Sequence, residues 1–395
     1  MRRVLILSAL AALPALAGRA GAQSTLSTQG FGYPPGQLSA RALATGGATA
    51  EIDALSATNP ATLGLLRTPS LSVQVQPEFR TLEFGNASEK TNVVRFPVVG
   101  ASIPFGPHWT VGLNASTLLD RTWETQAKRT QVIGSDTLAT TESYGAQGAI
   151  NDLRLGVAWT PRPWLNLGLG GHALTGSNRL AYVLTFDSAT TFNPILSRST
   201  ISYGGNAVSA GVDLRAGRML ALGAAVRAGG SISAHRNDST IATADVPFHY
   251  GVSAAFTGLP GSALAVRIAR DNWSSLRSLG TDSLGVVDAW DIGAGADVAG
   301  PRLYGRQLML RAGARWRDLP FQALLPGNAP PMPSRGAGTF TTVRERAFSG
   351  GLGTVMAGGR AALDVTLIRA LRETATPMGF SEKAWQLSVG VSVRP

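Results

Sequence analysis

Residues 385–394 read Trp-Gln-Leu-Ser-Val-Gly-Val-Ser-Val-Arg, so every odd position is apolar and every even one is polar or Gly. A period of two residues is that of a β-strand, because its successive side chains point to opposite faces. The same alternation recurs from about Ser70 onward, and each run ends in a turn. Examples are residues 71–76, 152–159, 290–298 and 307–316. This pattern predicts an all-β chain.

Short and long connections alternate between these runs. The short ones are residues 104–108, 160–163, 216–218, 258–261 and 357–359, and the long ones are residues 125–148, 187–200, 237–246, 274–287 and 319–342. Transmembrane barrels have short periplasmic turns and longer outer loops, whereas a soluble β-sandwich has no reason to keep this order. Counting the runs gives about fourteen strands. We therefore predict a transmembrane antiparallel β-barrel of about 14 strands.

The composition is consistent with a membrane barrel. Charged residues make up 15% of the chain, where about 25% is typical of soluble proteins. The chain has 47 Gly, no Cys, and no apolar stretch after its first residues that could form a spanning helix. Its net charge of +11 is spread over scattered Arg residues, with no basic cluster interleaved with aromatics. We expect no nucleic-acid partner and no disulfide.

The first residues have the three parts of a secretory signal peptide. Arg2 and Arg3 precede an apolar run at residues 4–17, and Ala20-Gly21-Ala22 is a small-x-small cleavage site. We predict that residues 1–22 are removed and that the mature chain begins at Gln23. The predicted divisions are a signal peptide at 1–22, an N-terminal segment at 23–68 and a barrel at 69–395.

Residues 23–68 lack the alternation but carry a pattern of their own. An Arg-Ala-Leu run begins at Arg41, the pair Gly46-Gly47 follows, and the pair Asn59-Pro60 should end a short helix within residues 49–57. This order resembles the mature N-terminus of the FadL-like outer-membrane transporters of long-chain fatty acids and aromatic hydrocarbons. PorV-like proteins of type IX secretion are similar. The resemblance implies a fourteen-stranded barrel whose N-terminal segment, here called the hatch (residues 23–68), folds into the lumen.

Two departures from that pattern leave the ligand open. Relatives often carry paired Asp where this chain has Glu51-Ile52-Asp53, and many have an aromatic residue where it has Thr58. Since a gate has to move, we expect modest contacts between hatch and wall. Deleting residues 25–65 should then raise conductance.

Strand parity assigns side chains to the two faces. Candidates for the lumen face are Arg154, His172, Asp213, Arg215, Arg227, Arg267, Asp291, Asp297, Arg311, Arg315 and Asp364, and candidates for an aromatic girdle at the membrane interfaces are Trp109, Trp159, Trp290, Trp316 and Trp385. Leu310 and Val389 should face lipid, whereas Ser388 should face the lumen and tolerate Arg better than Val389 does. The inward charges serve either to pair with one another or to select anionic solutes.

No motif supplies a catalytic or metal-binding grouping. His172 has no partner that the sequence identifies as orienting it, and no His, Asp or Glu residues have metal-ligand spacing. We predict no enzyme activity, no metal and no cofactor. The leading function is passive uptake of hydrophobic small molecules across the bacterial outer membrane. The alternatives are a PorV-like secretion component or structural scaffold and a barrel enzyme. Expected partners are outer-membrane lipid, a hydrophobic ligand and the outer-membrane assembly machinery.

Overall fold

The computed structural model describes residues 31–84, 87–133, 136–186, 193–279, 285–324, 340–374 and 380–394. The predicted signal peptide lies outside these residues. Within them the chain forms seventeen strands: β1 (Ser70–Phe84), β2 (Ala87–Arg95), β3 (Val98–Phe105), β4 (Trp109–Asp120), β5 (Trp123–Ile133), β6 (Asp136–Arg162), β7 (Leu165–Phe186), β8 (Ile195–Ala216), β9 (Leu220–Arg236), β10 (Ser239–Asp245), β11 (His249–Phe256), β12 (Ser262–Asp271), β13 (Ala289–Leu303), β14 (Arg306–Leu324), β15 (Phe340–Met356), β16 (Ala361–Thr374) and β17 (Phe380–Val393).

Fourteen of these strands close into one antiparallel barrel. Its order is β1, β3, β4, β6, β7, β8, β9, β11, β12, β13, β14, β15, β16 and β17. Strand β17 returns to β1, where Leu71 lies opposite Val393 and Phe79 lies opposite Trp385. The closure leaves no unpaired edge, as a barrel in lipid requires. The predicted fourteen-stranded barrel is confirmed.

The other three strands lengthen the barrel at its long-loop end. Strand β2 pairs with β1, β5 with β6, and β10 with β9. The expectation that residues 125–148 and 237–246 are long loops is therefore wrong over most of their length. Residues 123–133 have no simple apolar alternation, because a strand beyond the membrane needs no lipid-facing side.

Alternate residues of the barrel strands are exposed and buried. On β7, Leu169 is 68% exposed on the outer face, while Asn166 and His172 on the inner face are buried. Leu310 is exposed, and Arg311 and Ser388 are buried inside. Ser388 is fully buried and accepts a hydrogen bond of 2.8 Å from Gln74 Nε2. Ser388 thus faces the packed lumen, and its better tolerance of Arg than that of Val389 stays a prediction.

Helical structure is short. Helix α1 spans Ala40–Ala44, and 3₁₀ turns span Ala50–Ile52, Pro60–Leu65, Trp273–Leu279 and Ala357–Gly359. None of the helices in the described part of the chain is long and apolar enough to cross a membrane. The pair Asn59-Pro60 starts a helical turn instead of only ending one: Asn59 caps it and Pro60 is its first residue, a position that suits the fixed φ of Pro.

Candidate functional site

Helix α1 of the hatch is bonded to the barrel wall at both of its ends. The Ser39 hydroxyl caps its N-terminus by accepting a backbone hydrogen bond. From the wall, Thr366 Oγ1 donates to the Ala40 carbonyl over 2.7 Å and Ser349 Oγ donates to the Ala44 carbonyl over 3.0 Å. These side chains project inward from β16 and β15. Polar side chains on the lumen face of the strands therefore hold the hatch in place.

After α1, the hatch turns at Gly46 and Gly47, which have φ of +64° and +81°. Residues with a Cβ rarely adopt this left-handed conformation. The turn also lies against wall glycines. A Cβ on Gly293 would lie 2.4 Å from the Gly46 carbonyl oxygen, and one on Gly313 would lie 2.1 Å from the Gly46 nitrogen. Small residues are therefore required on both sides of this contact.

Such close approaches continue around the lumen in what we call the glycine belt. Its members are Gly112, Gly156, Gly168, Gly211, Gly223, Gly251, Gly293, Gly295, Gly313 and Gly351, at each of which a Cβ would lie 1.9 to 2.9 Å from a hatch atom. A glycine inside a strand often marks a site that another part of the structure approaches closely. Hatch backbone atoms fill the space at Gly168, Gly223, Gly293, Gly295 and Gly313, and hatch side chains fill it at the other five. No local sequence signal revealed these contacts.

Asn59 fixes the second half of the hatch. Its Oδ1 accepts a hydrogen bond of 2.9 Å from the Ala61 nitrogen, and its Nδ2 donates to the carbonyls of Glu51 and Val212 over 2.7 and 3.0 Å. One buried amide thus caps the Pro60 turn, joins it to the preceding turn and bonds it to β8. Hydrophobic or acidic side chains could not make this combination of bonds.

Glu51 forms a fully buried ion pair with the wall. Arg267 Nε lies 2.9 and 3.0 Å from its two carboxylate oxygens, and Ser253 Oγ donates to it over 2.6 Å. Arg267 also donates to Asp291 over 2.6 Å, and Asp291 accepts two bonds from Arg315. A buried charge is tolerated only when it is paired and hydrogen-bonded, and here the pairing extends from hatch to wall.

A second set of charges lies toward the short-turn end. Asp297 accepts hydrogen bonds from Arg41 of the hatch at 3.2 Å and from Arg311 of β14 at 3.0 Å. Arg311 also bonds to Asp364 of β16. The Arg41 side chain is 50% exposed, so this pairing is weaker than the buried one at Glu51.

Three more candidate residues of the lumen also contact the hatch or one another. Arg154 Nη1 donates to the Ala57 carbonyl over 3.0 Å. Arg215 donates to the Ile52 carbonyl over 2.9 Å and to both oxygens of Asp213 over 3.1 and 2.8 Å. Guanidinium groups of the wall thus satisfy hatch carbonyls that no helix or sheet pairs.

Asp152, His172 and Ser209 form a hydrogen-bonded chain across three strands. Asp152 Oδ1 lies 2.7 Å from His172 Nδ1, and His172 Nε2 lies 2.8 Å from Ser209 Oγ. Gln37 of the hatch donates to the other Asp152 oxygen over 3.0 Å and accepts from Arg227 over 3.2 Å. His172 therefore has the orienting partner that the sequence did not reveal.

This arrangement matches the order of a Ser-His-Asp triad but lacks its other requirements. Ser209 is buried and lies within β8, paired with Gly170 of β7 and Arg227 of β9. The backbone N–H groups beside it are used in the sheet, so they cannot form an oxyanion hole. We interpret these three hydrogen-bonded residues as part of the contact by which the barrel wall holds the hatch.

Tyr33 lies at the centre of a second buried group, the tyrosine cluster. The guanidinium carbons of Arg80, Arg95, Arg317 and Arg372 lie 4.4 to 5.5 Å from its ring centre. Paired with these four cations are the acids Glu78, Asp120, Glu345 and Glu382. The acids and bases balance, so the cluster stabilises the closed barrel and offers no excess charge to a solute.

The Tyr33 hydroxyl completes this network. It donates to Glu345 over 2.9 Å and accepts from Arg372 over 2.8 Å and from Arg317. Burial raises the pKa of Tyr33, a rise that the two nearest guanidinium groups partly oppose. The hydroxyl therefore keeps its proton at neutral pH and can act as donor and acceptor together.

The inner surface at the long-loop end is apolar, which parity alone did not predict. The outer apolar cluster contains Phe31, Leu118, Leu119, Ile150, Leu174, Tyr203, Ile232, Val246, Trp273, Leu276, Val286, Leu319, Phe321 and Val343, all buried. Phe31, at the start of the described hatch, meets Trp273 edge-to-face at 6.0 Å. Strand residues, a long loop and the hatch thus join in one apolar body above the charged layer.

A small cavity lies between part of this cluster and hatch residues Pro34, Gln37 and Thr58. Its volume is about 50 Å³, and its lining includes Gln37, Arg227, His249, Trp273 and Asp291. A space of this size suits water, whereas a dry cavity of about 150 Å³ holds benzene. Binding of an aromatic molecule would require the surrounding side chains to move.

The five girdle candidates lie on the outer face in two groups. Trp109 and Trp159 stack at 5.9 Å near the short turns, while Trp290, Trp316 and Trp385 are 38 to 47% exposed nearer the long loops. In the part of the chain that the structure describes, no group of three or more His, Cys, Asp or Glu side chains could hold a metal ion.

Comparison with known proteins finds solved structures of similar fold. No protein-family model and no curated protein sequence matches the chain. The fold is similar to that of a Pseudomonas aeruginosa FadL homologue, with a TM-score of 0.58 and 12% identity over 92% of this chain and 99% of that one.

Two hydrocarbon channels have the same fold. The monoaromatic hydrocarbon channel CymD matches with a TM-score of 0.54 and 12% identity over 92% of this chain and 98% of its own. The Pseudomonas putida toluene transporter TodX matches with a TM-score of 0.53 and 13% identity over 92% and 98%. The resemblance to the FadL-like outer-membrane fold is confirmed, and two of the three compared proteins are named as a channel and a transporter.

Proposed function

We propose that this chain is a bacterial outer-membrane barrel for the passive uptake of hydrophobic small molecules of fatty-acid-like or aromatic type. The outer apolar cluster carries this proposal. A barrel for polar solutes has a polar interior, whereas Ile150, Leu174 and Ile232 make the inner wall apolar at the long-loop end. These side chains are buried in the closed state, and an apolar molecule would gain free energy by leaving water for them once an opening movement exposes them.

Below the cluster, the route is closed in this state. The tyrosine cluster and the hatch fill the lumen, and the intervening cavity of about 50 Å³ is too small for such a ligand. Uptake therefore requires a rearrangement in which the hatch or the outer loops shift. The functions named for CymD, a monoaromatic hydrocarbon channel, and TodX, a toluene transporter, support a ligand of this class.

Liposomes that contain the purified protein test the proposal. A fluorescent long-chain fatty acid and toluene should enter faster than into protein-free liposomes, and a disaccharide should not. Phe31→Ala should slow uptake, because it removes the edge-to-face contact with Trp273. Leu196→Ala is a matched control, since Leu196 is 52% exposed on the outside of β8. Entry no faster than into protein-free liposomes would contradict the proposal.

The firmly docked hatch favours a second candidate, a PorV-like component of protein secretion or a structural scaffold. Ten wall glycines approach hatch atoms closely, and a barrel that only presents a surface has no need to open. This function predicts no uptake of either hydrophobic probe together with stable co-purification of an exported protein. The two assays therefore separate the candidates.

A further inference from the structure

The outer wall of the barrel has a hollow between β13, β14 and β15, near the long-loop end. Its volume is about 450 Å³, and its apolar floor consists of Ile268, Trp290, Ile292 and Trp316. Beside the hollow, the pairing of β14 with β15 shifts between Asp318 and Gln322. Leu319 and Phe321, which follow Arg315 and Arg317 on the inner face of β14, are buried in the outer apolar cluster.

Two outward-facing cations line this hollow. Arg344 is 61% exposed and lies 3.4 Å from the Asp318 carboxylate, its partner in an exposed ion pair. Arg346 is exposed and lies opposite Trp316 of β14, and within the described residues it forms no ion pair. Glu345, the neighbouring acid, faces inward and is bound by Arg317 and Arg372.

The same pairing of Trp with Arg recurs along this side of the barrel. Arg270 lies 5.1 Å from the Trp290 ring centre and also pairs with Asp288, and Arg369 lies 4.9 Å from the Trp385 ring centre. At the short-turn end, Trp109 stacks on Trp159 instead. Cations therefore accompany the aromatic side chains at the interface on the long-loop side.

We propose that this hollow binds a phosphorylated lipid of the leaflet on the long-loop side. Its acyl chain lies on the floor formed by Ile268, Ile292 and Trp316, and Arg344 and Arg346 bind its phosphate. Guanidinium groups bind phosphate through paired, charge-assisted hydrogen bonds. A neutral hydrocarbon would cover Arg346 and leave its charge unmatched, which is unfavourable. This site lies outside the lumen and is independent of the uptake function.

Native mass spectrometry of the purified full-length protein, titrated with diphosphoryl lipid A, tests the proposal. The double variant Arg344→Gln/Arg346→Gln should bind roughly tenfold more weakly or worse, the loss expected for charge-assisted bonds to phosphate. Arg302→Gln/Arg360→Gln is the matched control, because both residues are exposed at the short-turn end. Arg346→Gln alone provides a second, milder variant, and heat-modifiable electrophoretic mobility verifies that each variant is folded.

Two further ligands test separately whether the phosphate and the acyl chain contribute to binding. Dephosphorylated lipid A should bind more weakly than the diphosphoryl form. Inorganic phosphate at equal concentration should not displace diphosphoryl lipid A, because phosphate lacks the acyl chain. Equal binding by the wild type and the folded double variant would overturn the proposal. So would equal affinity for the dephosphorylated lipid, or displacement of lipid A by decane, which would make the hollow a hydrocarbon site.

Discussion

The Glu51 carboxylate of the hatch accepts hydrogen bonds of 2.9 and 3.0 Å from Arg267 Nε of the barrel wall. Neither group contacts solvent to any extent. The expectation of modest contacts between hatch and wall is therefore wrong. The closed state is held by a buried ion pair, by the Asn59 amide and by close backbone packing, so opening requires that these contacts be exchanged for others.

Removing one partner of this ion pair should destabilise the protein. Glu51→Ala leaves Arg267 buried with only Asp291 as its acidic partner, and the loss of one member of a buried pair costs about 3–5 kcal/mol. We expect the lower end of that range because Asp291 remains. Urea unfolding in lipid vesicles, followed by electrophoretic mobility, measures the free energy of unfolding.

Glu83→Ala is the control for this measurement. Glu83 pairs with Lys383 at 2.7 Å, but both side chains are 40% exposed, so little change in the free energy of unfolding is expected. An equal loss of stability in the two variants would show that the Glu51 pair does not anchor the hatch.

The strands could be predicted from the sequence because their signal is local. Alternation of side chains and the order of short and long connections depend only on neighbouring residues, and residues 385–393, quoted for their alternation, all lie within β17. The lumen contacts join distant positions: Glu51 and Arg267 are separated by 216 residues. A glycine in a strand indicates free space, but it does not identify what fills that space.

The contacts of Tyr33 also join residues that are distant in the sequence, so they could not be predicted either. It lies in a Gly-Tyr-Pro-Pro stretch without periodic pattern, and its hydroxyl bonds to Arg372, 339 residues away. Strand parity could assign single Arg and Asp residues to the inner face of the barrel, but it could not predict which of them form ion pairs with one another. Strands β5 and β10 were missed because their apolar residues do not alternate regularly.

Two substitutions at Tyr33 should separate its hydroxyl from its ring. Tyr33→Phe removes the acceptor of Arg317 and Arg372 and should lower the free energy of unfolding by roughly 1–3 kcal/mol. Tyr33→Ala also removes the ring between four guanidinium groups and should cost about 3–5 kcal/mol. Thermal unfolding in detergent measures both. If the two variants lose the same stability, the ring contributes nothing and the cluster rests on hydrogen bonds alone.

A charge on the lipid face should be costly at mid-strand and tolerated at the end of a strand. Val389 lies on β17 midway between Trp385 and the strand end at Val393. Val389→Arg should cost about 2–4 kcal/mol if it lies near the midplane, whereas Met219→Arg, at an exposed turn, should cost about 0–1 kcal/mol. Urea unfolding in vesicles compares them. Similar costs at both positions would mean that Val389 does not face lipid.

The glycine belt should control whether the lumen is closed. A Cβ on Gly168 of β7 would lie 2.2 Å from the Ala61 nitrogen, so Gly168→Ala must displace the hatch from the wall. The barrel itself should still form, because overpacking of this kind costs about 1–3 kcal/mol. Single-channel recording in planar bilayers should then show raised conductance, with a deletion of residues 25–65 giving the upper limit.

Gly171→Ala on the same strand is the matched control, since a Cβ there meets nothing within 4 Å. Should Gly168→Ala insert normally and conduct no more than Gly171→Ala, while the deletion conducts more, the hatch closes the lumen without depending on the belt. Should the deletion also conduct no more than the full-length protein, the hatch is not what closes the barrel, and the uptake function loses its gate.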